Sequence, residues 1–184
     1  PVFSTAAAKG AVDERLSHAA GVYTGAGGAL SPEKAVLPRA DLIVGIGLRH
    51  NEVLGGGPFG CPAVSIDPLG EVHCFGFKLN HVAGSADPGR LQKLFAQLAE
   101  KSWGLDHLAA ARNTLKSRMA AGSFLPAHVY AAVAEHFQNQ ARLVLDTGNF
   151  CTIGEHAWNV PAPALYLATG QGRYMGTGLP LAIG

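Results

Sequence analysis

Short, mainly apolar runs with little polar alternation recur along this chain, each leading into glycine, proline or an acidic residue. Strands covered on both faces of a parallel sheet read this way. The clearest is Asp41 to Ile46, where Leu42, Ile43, Val44 and Ile46 are apolar, so it is expected to be parallel and central. Pro62 to Asp67, broken by Pro68, makes the next; Leu143 to Leu145 and Leu165 to Leu167 supply two more, and Pro1 to Thr5 a short first one. Between them the period changes. Ser31-Pro32-Glu33 reads as an N-cap with proline at the first helical position, so a short helix is expected from Pro32 to about Leu37. Leu91, Leu94, Phe95 and Leu98 fall at i, i+3, i+4 and i+7, an amphipathic helix whose apolar stripe should cover the sheet. Ser102 to Ala121 reads as an alanine-rich helix with Leu108, Leu115 and Met119 on its buried side. Pro126 opens a further helix with Val129, Val133 and Phe137 on one face. The run from Val12 to Leu30, crowded by glycine, reads mostly as loop.

This order predicts an α/β fold. Residues 1–100 are expected to form a Rossmann-like parallel sheet with flanking helices, burying Leu42, Val44 and Ile66. Residues 101–125 are read as a helical linker, and residues 126–184 as an incomplete second α/β domain. The last apolar stretch, Leu179 to Gly184, has nothing after it to pack against, which favours a piece of a larger enzyme.

Charge changes this picture little. With 14 Lys and Arg against 13 acidic residues, the formal charge of +1 gives no argument for a nucleic-acid or anionic-membrane partner. Cys61, Cys74 and Cys151 are odd in number and lack CxxC spacing, which fits reduced thiols in the cytoplasm. No 18-residue apolar run or signal peptide is visible. His73, Cys74 and His81 do not have the spacing of a closed zinc set, so no metal is expected there.

Candidate chemistry concentrates at strand ends. Gly45 and Gly47 suit either a tight packing turn or a close approach by a pyrophosphate, although the third glycine of a dinucleotide fingerprint is missing. Asp67 suits a ribose hydroxyl or the anchor of a turn. Together with Arg49, these form a possible nucleotide-binding set for FAD or an adenine nucleotide. Asp146-Thr147-Gly148-Asn149 after a strand can form a small anion-binding concavity, and Gly170, Gly172, Gly176 and Gly178 bare the backbone around Met175. Lys9, His18, His128 and His136 are expected to be solvated or structural side chains.

The motif Asp146-Thr147-Gly148-Asn149, followed by Met175-Gly176-Thr177-Gly178-Leu179-Pro180-Leu181-Ala182-Ile183-Gly184, resembles the opening of the diphosphate-binding domain of thiamine-diphosphate enzymes of the acetolactate synthase and 2-oxoacid decarboxylase superfamily. Ala7-Ala8-Lys9-Gly10, the strand ending Gly45-Ile46-Gly47-Leu48-Arg49, and Ser65-Ile66-Asp67 with Gly84-Ser85-Ala86 resemble its middle domain, a DHS-like NAD/FAD-binding fold. The resemblance implies that Asp146, Gly148, Asn149, Met175 and Gly176 contact thiamine diphosphate, with Met175 beneath the cofactor holding it bent. It also implies Mg2+ in the parent enzyme, a homo-oligomeric parent, and partners that are its other domains or subunits. The superfamily's magnesium motif and its activating glutamate lie outside this sequence. The chain is therefore expected to hold no cofactor tightly and to be inactive alone, with no catalytic residue assigned. A nucleotide-binding module and a subunit of a split enzyme are the alternatives.

Overall fold

The computed structural model describes residues 1–25, 28–48, 59–67, 81–83, 87–97, 102–169 and 174–184. It is an α/β protein in which every described strand pair is parallel. Strand β1 (Val2–Ser4) pairs with β2 (Ala19–Val22); β3 (Ile43–Ile46), β4 (Ala63–Ile66) and β5 (His81–Ala83) lie in that order; β6 (Leu143–Leu145) pairs with β7 (Tyr166–Ala168). The helices are α1 (Pro32–Val36), α2 (Pro88–Gln97), α3 (Leu105–Met119), α4 (Pro126–His136), α5 (Asn149–Ala157) and α6 (Gly178–Ile183).

Two cores organise these elements. Ala20 of β2, Val36 of α1 and Leu108 of α3 form one, with Phe3 packed against it. Leu108 is wholly buried, so the helix expected to be a linker supplies the centre of this core. The larger core joins Tyr130 of α4, Leu145 of β6, Cys151 of α5, Trp158, Val160 and Tyr166 of β7.

Several expectations need correction. The Val12 to Leu30 run contains β2, a buried strand of Ala-Ala-Gly-Val that small residues and glycine disguise as loop. Among the described residues β3 pairs with β4 alone, and Leu42 and Ile46 are 48% and 51% exposed, so the expected burial of Leu42 in a central strand does not hold; Ile66 is buried as expected. A continuous apolar run reports the preference of a strand for cover, not that cover exists. The same applies to α2, where Leu94 and Phe95 are exposed instead of covering a sheet. Ser31 stands at the N-cap of α1, yet its side chain makes no capping bond. In α4 the buried residue is Tyr130, while Phe137 is exposed. Arg49, His73, Cys74, Leu98, Gly170, Gly172 and the segments 55–58 and 84–86 lie outside the described residues.

Candidate functional site

Because β6 and β7 run parallel with Leu145 opposite Ala168, their C-terminal ends open side by side. Ligands of open parallel sheets sit at such a rim. The hydroxyls of Thr147 and Thr169 stand 3.1 Å apart there and tie the two strand ends together. Gly148 then turns the chain into α5, whose first turn carries no side-chain cap. Asn149 begins that helix and is exposed.

Asp146 reaches in the other direction. Its carboxylate accepts the Thr147 N–H at 2.7 Å and the Gly176 N–H at 2.9 and 3.0 Å through its two oxygens. Backbone donation from Thr147, with further donation from Gly178, Gly176 and Thr177, holds its pKa below the usual 3.8 against a smaller opposing effect of burial. Gly178 approaches so closely that a Cβ there would stand 2.8 Å from Asp146 Cβ. The two sequence motifs, thirty residues apart, are therefore one structural unit, with Asp146 as the clasp. Met175 sits on the outside of this loop, 80% exposed, beside exposed Tyr174 and Leu179.

The structure thus brings Asp146 and Gly176 into direct contact and leaves Gly148 and Asn149 at the adjoining helix start. The Asp146 carboxylate is exposed yet engaged by loop amides, so it shapes the rim. Thr147, Thr169 and Thr177 were not singled out from the sequence. Threonine within two residues of each strand's end was the signal that could have found the first two.

At the other rim, Ile46 lies opposite Ile66, so Gly47 and Asp67 follow neighbouring strand ends. Gly47 has φ +62° and donates its N–H to Ile66 O at 2.9 Å. Asp67 is fully buried. Gly45 has ordinary surroundings, a Cβ there meeting Leu48 at 3.7 Å.

The residue most misjudged from sequence is Lys9. Expected to be solvated, it is 3% exposed, and its ammonium donates to Glu14 at 2.7 and 2.5 Å and to Glu155 O at 2.9 Å. Glu14 in turn accepts the Val160 N–H at 2.8 Å. Burial pulls the Lys9 pKa below its ordinary value, and the Glu14 charge opposes that shift. A cleft of about 600 Å³ lies above this pair, with Asn113, Lys116, His128 and His156 in its wall. His128 is occupied in capping α4, its Nδ1 accepting the Leu125 N–H at 2.9 Å, and His18 and His136 are exposed. The pair has its hydrogen-bonding capacity largely taken up within the protein, which makes it a brace between the first and last thirds of the chain.

Among the described residues no group of three His, Cys, Asp or Glu could hold a metal ion, and no helix is long and apolar enough to cross a membrane. No protein-family model matches the chain, and no curated protein matches it either.

Proposed function

We propose that this chain contributes the middle domain and the opening of the cofactor domain to a cytoplasmic thiamine-diphosphate-dependent enzyme acting on 2-oxoacids, by decarboxylation or acyl transfer. The observation that carries the reading is the clasp: Asp146 gathers the Met175–Gly178 loop onto the end of β6, beside the uncapped start of α5. Backbone amides at Gly148 and Asn149 would receive a diphosphate, as helix starts and glycine turns favour anions. Met175, held outward by the loop, would lie against the aromatic body of the cofactor, a contact an unbranched thioether makes well. A Rossmann-like arrangement of the first domain belongs to the same reading. Mg2+ would bridge the diphosphate to carboxylate and amide ligands supplied by the parent's other parts.

Affinity of the isolated chain is expected near millimolar, equivalent to about 4 kcal/mol. Pyruvate with added thiamine diphosphate and Mg2+ should release no carbon dioxide above a control without protein. Saturation-transfer NMR suits that range of affinity. Thiamine diphosphate with Mg2+ should show transfer to its ring protons, weakened in Met175→Ala. Transfer to FAD or ADP with none to thiamine diphosphate would overturn the proposal in favour of a nucleotide-binding module.

A further inference from the structure

A second cleft, of about 530 Å³, lies between α1 with the turn after it and one face of α3. His107, Ala110, Ala111 and Thr114 fall at i, i+3, i+4 and i+7 of α3 and form one wall; Lys34, Ala35, Pro38 and Arg39 form the other. Two permanent cations and an imidazole thus share one concavity. Among the described residues no acidic side chain lines it. Among the described residues neither Lys34, Arg39 nor His107 has an ion-pair partner. Two acids adjacent in sequence to the cleft's cations are directed elsewhere. Glu33 is buried, its carboxylate accepting the Thr24 N–H at 2.9 Å, and Asp106 lines the other cleft. The Thr114 hydroxyl donates to Ala110 O at 2.9 Å, so it offers an anion no proton.

We infer that this cleft binds a phosphate group carried on a small organic body, with the phosphate held by Lys34 and Arg39 and the body against Ala35, Pro38, Ala110 and Ala111. Uncompensated like charges around a concavity attract anions, and arginine matches phosphate geometry with paired donors. The volume falls in the range of small-molecule pockets and far exceeds what phosphate alone would fill, which is why an apolar partner group belongs in the assignment. The place differs from both strand-end rims. Arg39 precedes β3, whereas Gly47 and Asp67 follow β3 and β4, and none of the cleft's residues belongs to the Asp146 unit. The inference therefore does not rest on the thiamine-diphosphate reading.

The test is an amide-resolved NMR titration of the chain at physiological salt with inorganic phosphate and, separately, with AMP. Saturable shifts should map to Lys34, Arg39 and His107, with AMP binding at least fivefold more tightly than phosphate. The Lys34→Gln, Arg39→Gln double variant should weaken AMP at least tenfold. Both residues are exposed, and an unchanged circular dichroism spectrum would exclude misfolding as the cause. Ala110→Leu, at an exposed helical position, should remove the preference for AMP while leaving phosphate binding intact. Equal affinities for the two probes, shifts centred on Thr147, Asn149 and Gly176, or wild-type affinity in the double variant would each overturn the inference.

Discussion

Tyr130 shows how tightly single residues are fixed in the larger core. Its hydroxyl donates to Phe150 O at 2.9 Å, and its ring stands edge-on to Trp158 at 6.5 Å between centroids. Burial, aided by Cys151 and Glu155, pushes its pKa well above the phenolic range, so it stays a donor throughout the usable pH range. Replacing Tyr130 by Phe removes that one bond and leaves Phe150 O without it. A loss of about 1 kcal/mol in urea unfolding is expected. Gly154 faces the same ring, and a Cβ there would lie 2.6 Å from Tyr130 Oη and 2.9 Å from Leu145 Cδ1. Helix propensity alone would make Gly154→Ala stabilising by up to about 1 kcal/mol. Overpacking should reverse the sign and cost about 1–3 kcal/mol, as read by the urea midpoint.

Among elements, the junction of β6 with α6 depends on a charge. Asp146 has a folded pKa below 3.8, so its contribution is present above the unfolded value and is lost as pH falls through the lower, folded one. Acidification below about pH 4 should therefore release the loop, seen as faster hydrogen exchange at the Gly176 and Gly178 amides while the β6–β7 ladder stays protected. Protection of those amides unchanged down to pH 2 would show that the carboxylate does not hold them. Much of this architecture was legible in sequence. The apolar runs of β3, β4, β6 and β7, the proline starts of α1 and α4 and the apolar spacing of α2 lie close to where the local chemistry put them. By contrast, β2 was hidden because two alanines and a glycine bury well but carry little strand preference. Helix α5 was hidden because Gly148-Asn149 reads equally as a turn. At the candidate site the Asp146 and Gly176 motifs were legible separately; their direct bond depends on how β6 and β7 pair, a long-range fact that no local pattern contains.

For the whole molecule, the decisive contact is the buried Lys9–Glu14 pair. Arg112 adds to it from α3, donating to Leu16 O, Ala19 O and Glu14 O at 3.2, 2.9 and 2.9 Å. One irregular segment is thus held by a helix on one side and by Glu155 and Val160 on the other. Removing one partner leaves the other's charge buried and uncompensated, a loss of about 3–5 kcal/mol. Glu14→Gln should lower stability by that order and, in calorimetry, split one unfolding transition into two, for the Leu108 and Trp158 cores. A single transition with an unchanged midpoint would show that the pair does not couple them. Lys9→Met with Glu14→Leu should recover much of the loss, because two apolar side chains leave no buried charge.

The brace also has a consequence for the order in which the protein can be made. The partners of Lys9 and Glu14 across the chain, Glu155 O and the Val160 N–H, are each 146 residues further along. At roughly 5–20 residues per second, translation leaves on the order of ten seconds between synthesis of the first group and arrival of the last. During that interval the segment from Lys9 to Glu14 has its charges but not the carbonyl and amide that complete their enclosure. The amino-terminal strands can pair early, yet their final seating waits for the distant end of the chain.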